Sequence, residues 1–112
     1  MVNVFVYASE GVQKNALDMA FSQVEGEMKL ITFNQSIEDS MIQSYAKSNH
    51  MVCQTFPKLD GSLLRDMELI DFCDCFMMIG DDPAIRHYLA LGKMMKRKTA
   101  WFDKKGFLNK VD

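Results

Sequence analysis

Short apolar runs alternate with helical patterns along the whole chain, and this alternation is the feature that most restricts its fold. Apolar residues, many of them β-branched or aromatic, cluster in strand-like runs at residues 3–8, 28–33, 51–56, 75–79 and 99–103. The order βαβαβαβαβ predicts an α/β fold: one three-layer domain over residues 1–112, with a five-stranded parallel sheet of order 3-2-1-4-5.

Four helices are expected between these strands, because apolar residues recur there at helical spacing. The predicted buried stripes are Val12, Ala16, Met19, Ala20 and Val24; Ile37, Met41, Ile42, Tyr45 and Ala46; Leu63, Met67 and Ile70; and Ile85, Leu89, Gly92 and Met95. Ser36 with Asp39, or Asn34 just before, supplies caps for the second helix. Pro83 lies in the first turn of the fourth helix, as proline prefers. Residues 104–112 are expected to form a polar tail with at most a short edge element.

Composition excludes several classes of protein. The net charge is −2 and the pI about 5.6, so nucleic acid and anionic membranes are not expected partners. The apolar runs are far too short to span a bilayer, which takes about 20 residues. The three cysteines, an odd number, favour a reducing compartment, and the first apolar run has no signal-peptide features, so we expect a cytoplasmic protein.

Polar residues follow three of the predicted strands, at the edge where ligands bind in open α/β sheets. These residues are Ser9, Glu10 and Gly11 after the first strand, Asn34, Gln35 and Ser36 after the second, and Gly80, Asp81 and Asp82 after the fourth. Helix capping alone explains the same residue types, so both interpretations stay open. None of the loops has a glycine-rich phosphate motif, and carboxylates suit ribose hydroxyls better than a polyphosphate. The predicted ligand is therefore nucleoside-like or derived from a nucleotide, with no cofactor.

Two other groups of residues receive structural interpretations. His50, Cys53, Cys73 and Cys75 have zinc-binding side chains but no standard spacing, and the predicted strand order separates Cys53 from Cys75 by about 14 Å. Buried, metal-free thiols are the preferred interpretation. A basic cluster closes the fourth helix and is expected at the opposite end of the sheet from the ligand loops; its residues are Lys93, Lys96, Arg97 and Lys98.

Several motifs resemble the SLOG superfamily, the Rossmann-like group that contains the Smf/DprA and LOG families. They are Thr32 to Gln35 with Asp39, the run Tyr45-Ala46-Lys47-Ser48, Phe56-Pro57, Gly61 with Arg65, Asp66 and Met67, and Asp74 before a buried strand. The similarity covers about 100 residues. The resemblance implies a Rossmann-like fold and a ligand site formed by the loops after the first, second and fourth strands. It also implies that Arg65 contributes to this site.

The chain departs from this family at both ligand-binding loops. Phe33 and Asn34 stand where the family has two glycines, and Gly80 to Ile85 replaces its second glycine-rich loop. A segment at Tyr88 to Lys93 resembles nucleoside deoxyribosyltransferases, but Ala84 occupies the position of their catalytic glutamate.

The first functional hypothesis is a non-catalytic domain that binds a nucleotide-derived or nucleoside-like ligand as a sensor or effector. The alternatives are a ligand-free interaction module and an enzyme that cleaves an N-glycosidic bond. The segment 62–72 carries surplus apolar residues, Leu64, Leu69 and Phe72, beside its predicted stripe. That surplus predicts either a homodimer through this helix or extra burial within a monomer.

Overall fold

The fold was analysed in a computed structural model that describes residues 1–24, 26–56 and 63–111, with the backbone alone at residues 63–66, 110 and 111. These residues form six strands and four helices. The elements in chain order are β1 (Val2–Ala8), α1 (Lys14–Ser22), β2 (Met28–Thr32), α2 (Ile37–Ser48), β3 (Cys53–Thr55), α3 (Leu63–Phe72), β4 (Cys75–Ile79), α4 (Pro83–Met94), β5 (Lys98–Phe102) and β6 (Leu108–Val111).

The strands form one mixed sheet of order β3-β2-β1-β4-β5-β6. The first five strands pair in parallel in the predicted order. The prediction of a five-stranded, wholly parallel sheet is corrected by β6, which pairs antiparallel with β5. Residues 108–111 of the predicted polar tail therefore extend the sheet.

The sixth strand lacks a strong sequence signal because it lies at the edge of the sheet. Leu108 is 49% exposed and Asn109 is also exposed, so the strand does not need the apolar run that marks a buried strand. A tight turn brings the chain back: the Asp103 N–H donates to the Phe107 carbonyl over 2.9 Å, and the Gly106 N–H donates to the Asp103 carbonyl over 2.9 Å.

Helices cover both faces of the sheet, as predicted for a three-layer domain. One core joins α1 and α2 to Val4, Val6, Leu30, Met77 and Ile79. The other joins α3 and α4 to the opposite sides of the same strands, and it contains Phe5, Ile31, Phe76 and Met78. The strands alternate between the two cores because successive side chains point to opposite faces.

The predicted helical stripes are correct at some positions and wrong at others. Ala16, Ala20, Ile42, Ala46, Ile85 and Gly92 are buried as expected. Met19 is 38% exposed, Ile37 76% and Met95 44%, whereas Leu17, Phe21 and Tyr88 are buried. In α1, rows of side chains four apart lie on one face, and the pair Leu17 and Phe21 is adjacent to the row of Ala16 and Ala20. The larger side chains of the neighbouring row therefore face the sheet, and Met19 lies at the margin.

In α3, Leu69, Ile70 and the following Cys73 are buried, whereas Met67 of the predicted stripe is 50% exposed. The side chains of Leu63 and Leu64, and residue 62 at the start of the predicted segment, lie outside the described residues. The prediction for Met67 was wrong because Leu69, first assigned to the surplus, belongs to the buried face.

Candidate functional site

The strand order reverses between β1 and β4, so the loops that follow these two strands meet at the carboxyl edge of the sheet. Ser9 is buried and its N–H donates to the Ile79 carbonyl over 2.9 Å. The Asp81 N–H donates to Ser9 Oγ over 3.2 Å. Trp101 Nε1 donates to the Gly80 carbonyl over 2.7 Å, which ties the β4–α4 loop to β5 as well.

Gly80 lies so close to Ser9 that a side chain at this position would overlap Ser9 unless Ser9 moved. Its φ is +108°, in the left-handed region that favours glycine. A Cβ on Gly80 would lie 1.9 Å from Ser9 Oγ. The two loops are therefore in direct contact at the centre of the crevice.

Asp82 is held in place by two bonds within the protein. Its Oδ1 accepts from the Ile85 N–H over 2.8 Å and caps α4, while its Oδ2 accepts from the Tyr7 hydroxyl over 2.9 Å. Burial raises the pKa of the Tyr7 phenol, and the hydrogen bond to Asp82 raises it further. Tyr7 therefore stays protonated and acts as a donor. The sequence pattern indicated Asp82 but not Tyr7, although Tyr7 lies on the same face of β1 as the buried Phe5.

Asp81 is exposed and forms an ion pair with Arg86, with 3.3 Å between Asp81 Oδ1 and Arg86 Nε. Both side chains are largely open to solvent, so the pair contributes little to stability. It nevertheless turns the carboxylate toward α4.

The β2–α2 loop is organised by a capping box, and the predicted caps are confirmed. The Asp39 N–H donates to Ser36 Oγ over 3.0 Å, and Asp39 Oδ2 accepts from the Ser36 and Gln35 N–H groups over 3.3 and 3.0 Å. Asp39 is 3% exposed, and its Oδ1 also accepts from the Thr32 hydroxyl. Three donors thus satisfy this buried carboxylate.

Phe33 and Asn34, which replace the family's glycines in the resemblance, have structural contacts. Phe33 is buried and its ring lies 5.1 Å from that of Phe5, with Tyr88 5.2 Å from Phe5 on the same side of the sheet. The edge-to-face geometry is typical of aromatic cores. Asn34 is exposed, and its Oδ1 accepts from Gln43 Nε2 over 3.3 Å.

The N-cap of α1 differs from those of α2 and α4, whose N-cap side chains each accept a backbone N–H. The N-cap residue of α1, Gln13, makes no side-chain capping bond, and the first turn carries no acidic side chain. Just before it, Gly11 has a φ of +91°, and its N–H donates to Glu38 Oε2 over 3.4 Å. The loop that contains Glu10 and Gly11 is exposed. The hydrogen bond from Gly11 to Glu38 connects it to α2.

The structure thus brings Ser9, Gly80 and Asp81 into direct contact and places Asp82 beside them. Asn34, Gln35 and Ser36 lie at the same edge, two strands away from β4 across β1. Glu10 and Gly11 lie in the loop that leads from β1 into α1. The side chain of Arg65 lies outside the described residues, so its role stays a prediction.

The cysteines lie away from this edge. Cys53 and Cys75 occupy the same level of the sheet, in strands separated by β2 and β1, as the predicted order required. All three cysteines are free thiols, but only Cys73 is buried as predicted, whereas Cys53 and Cys75 are partly exposed. Burial raises the pKa of each thiol. Among the described side chains, no three histidine, cysteine or acidic residues converge as a metal site would need. The basic cluster lies at the amino end of β5, opposite the ligand loops, as predicted.

Surface grooves occur at both ends of the sheet. A groove of about 510 Å³ lies at the carboxyl edge, between α1 and the turn that joins β5 to β6. A groove of about 460 Å³ lies at the amino edge, between the end of α2 and the start of β2. A third, of about 410 Å³, exposes the α1 face of β1, β4 and β5 near their amino ends. No helix in the described part of the chain is long and apolar enough to span a membrane.

Comparison with known proteins finds no match to this chain among protein families, curated proteins or solved structures.

Proposed function

We propose that this chain is a non-catalytic α/β domain that binds a nucleotide-derived or nucleoside-like ligand at the carboxyl edge of its sheet, as a sensor or effector. The observation that carries its non-catalytic part is the state of Asp39, Asp81 and Asp82, three of the acids at this edge; a fourth, Glu10, is exposed. Asp39 and Asp82 accept bonds from backbone N–H and hydroxyl groups, and Asp81 faces Arg86. An N-glycosidic enzyme needs a carboxylate directed at the sugar, which these bonds oppose.

The resemblance to the SLOG superfamily supports the same proposal. The mostly parallel sheet reverses its order at β1 and β4, which is the position where ligands bind in such folds. The exposed groups near this position that suit a nucleoside are Glu10, Gly11, Asn34 and Asp81. A cytoplasmic location is part of the proposal and is supported by the three free thiols.

The ligand-free interaction module is the second candidate, and the contact between Ser9 and Gly80 favours it. That contact occupies the centre of the crevice where a nucleotide would insert. A ligand must then lie on the outer parts of the loops. If the loops separate to admit a ligand, this hydrogen bond must break.

A thermal-shift screen with nucleosides, nucleoside monophosphates and ADP-ribose derivatives separates the candidates. A ligand at a hundredfold excess over its Kd adds about 2.7 kcal/mol to the free energy of unfolding. Stabilisation with no release of free base, measured by chromatography, supports the proposal. The absence of any stabilisation favours the interaction module. Release of base that Asp81→Asn or Glu10→Gln abolishes, in a folded protein, establishes an enzyme.

We also propose that the chain self-associates through α3. Met67 is 50% exposed and Phe72 36% exposed on this helix. Phe72 is partly covered by Phe56, 6.1 Å away between ring centroids, and by Lys29 Nζ at 5.7 Å. These contacts are the extra burial within a monomer that the sequence offered as an alternative, whereas Met67 supports the dimer.

A further inference from the structure

We propose that the groove between α1 and the turn at residues 103–107 holds a small molecule that joins an aromatic ring to an anionic group, as a nucleoside 5′-monophosphate does. We call it the α1–turn groove. Its lining side chains are Gln13, Asn15, Met19, Lys104, Lys105 and Phe107. This inference rests on the proposed function and assigns its ligand a place and a charge. The volume of about 510 Å³ is in the range of small-molecule sites.

The wall formed by the turn is held by hydrogen bonds within the turn and by close packing against α1. Asp103 Oδ1 accepts from the N–H groups of Lys105 and Phe107 over 2.9 and 3.0 Å. Gly106 has a φ of +89° and lies so near α1 that a Cβ there would be 2.2 Å from the Ala16 carbonyl oxygen. Gln23 joins the two elements, because it donates to the Gly106 carbonyl and accepts from the Leu108 N–H. A ligand therefore meets a preformed wall and does not have to order it.

The groove has an apolar surface that the fold itself leaves open. Phe107 is 51% exposed and Met19 is 38% exposed, one on each wall. An aromatic ring and a thioether are suited to contact the face of a heterocycle. The amides of Gln13 and Asn15 offer donors and acceptors for its polar edge or for sugar hydroxyls.

The charges of the groove favour an anion. Lys104 and Lys105 outnumber the neighbouring Asp103, one of whose oxygens is bonded within the turn. The first turn of α1 adds no acidic side chain. Glu38, which accepts from the Gly11 N–H, and Glu10, which precedes Gly11 in the chain, also lie at this end, but neither of them lines the groove. The anionic group is therefore placed at the lysines, and the ring toward Met19 and Phe107.

Calorimetric titration of the full chain with adenosine 5′-monophosphate tests this assignment. We expect Lys104→Gln/Lys105→Gln to weaken binding by about tenfold or more, because each lysine loses a charge-assisted contact. Lys47→Gln/Lys98→Gln removes the same charge from exposed positions at the amino edge and should leave the affinity unchanged. Phe107→Ala should weaken the binding of both adenosine and its monophosphate.

Two further outcomes separate this inference from the proposed function. If the monophosphate binds, is insensitive to the lysine pair and is lost in Asn34→Ala or Asp81→Asn, the proposed function stands and the assignment to the α1–turn groove is overturned. If the affinity falls equally in both lysine pairs, binding follows overall charge and the assignment is also overturned. If none of the nucleosides, nucleotides or ADP-ribose derivatives binds, the proposed function fails, and this inference fails with it.

Discussion

Gly80 connects the two central loops through its backbone conformation and its lack of a side chain. We predict that Gly80→Ala lowers the free energy of unfolding by about 2–4 kcal/mol, through left-handed strain and overlap with Ser9. Gly26 is the matched control, since its φ is +106° but a Cβ there meets nothing within 4 Å. Gly26→Ala should cost about 1 kcal/mol from strain alone. Urea denaturation measures both, and equal losses would show that the contact with Ser9 is unimportant.

Cys73 gives a pH dependence with a definite sign. Burial, together with the nearby Asp74 and Cys75 and opposed by Arg97, raises the pKa of its thiol to about 12. The unfolded thiol loses its proton near pH 8.5, roughly the value in peptides, so the folded chain holds one proton more above that pH. Stability should be fully present below about pH 8 and fall as the pH rises toward 12.

Denaturation between pH 8 and 10 in wild type and in Cys73→Ala measures this effect. The variant loses packing contacts at every pH. The comparison therefore concerns only the slope of the free energy of unfolding against pH. We expect the wild type to lose roughly 1 kcal/mol more per pH unit than the variant above about pH 9. Parallel curves would mean that Cys73 titrates normally in the folded state.

Individual residues were predictable from the sequence when their role depended on near neighbours. The caps Ser36, Asp39 and Asp82 follow from residue type beside a helix start, and their bonds span three or four residues. The bond from Tyr7 to Asp82 joins residues 75 positions apart. Its geometry depends on how β1 and β4 are aligned, which a periodic pattern does not specify.

At the scale of elements, α2 has the only capping box among the helix starts that the structure describes, those of α1, α2 and α4. We predict that Ser36→Ala lowers the free energy of unfolding by about 1 kcal/mol, because the Asp39 N–H loses its acceptor. The control is Gln13→Ala, which removes a residue at the same position of α1 that makes no capping bond. Its cost should stay below about 0.5 kcal/mol. Equal costs in chemical denaturation would contradict the importance of the capping box.

The exposed part of α3 tests self-association. We expect a dimer at high micromolar concentration in sedimentation velocity, and a monomer for Met67→Lys. Met94→Lys introduces the same change at a methionine that is 70% exposed on α4, and it should leave the dimer intact. A monomeric wild type would show that α3 is not an interface.

The first five strands and their order were predictable from the sequence because strong apolar runs alternate with helical patterns. The buried faces of the helices were not predictable with the same precision. Small residues such as Ala16 and Ala20 mark the buried side of α1, but neighbouring Leu17 and Phe21 decide its centre. Which of these two adjacent rows of α1 packs at the centre of the interface depends on the shape of the sheet surface that the helix covers.

For the whole molecule, β6 is the element that the sequence indicated least, at most as a short edge element in a polar tail. An exposed edge strand needs neither alternation nor a long apolar run, so its pattern resembles that of a tail. The consequence is functional, because the turn before β6 forms one wall of the α1–turn groove. The candidate site predicted from the sequence included the loops after β1, β2 and β4 but not the turn after β5.

Binding of a nucleotide-like ligand at the carboxyl edge of the sheet can be followed by an amide-detected NMR titration with adenosine 5′-monophosphate. We expect saturable shifts that cluster in the loops after β1 and β4 and in the turn at residues 103–107, with no base released. Spectra unchanged at millimolar ligand, or shifts confined to the amino edge around His50 and Lys98, would contradict it.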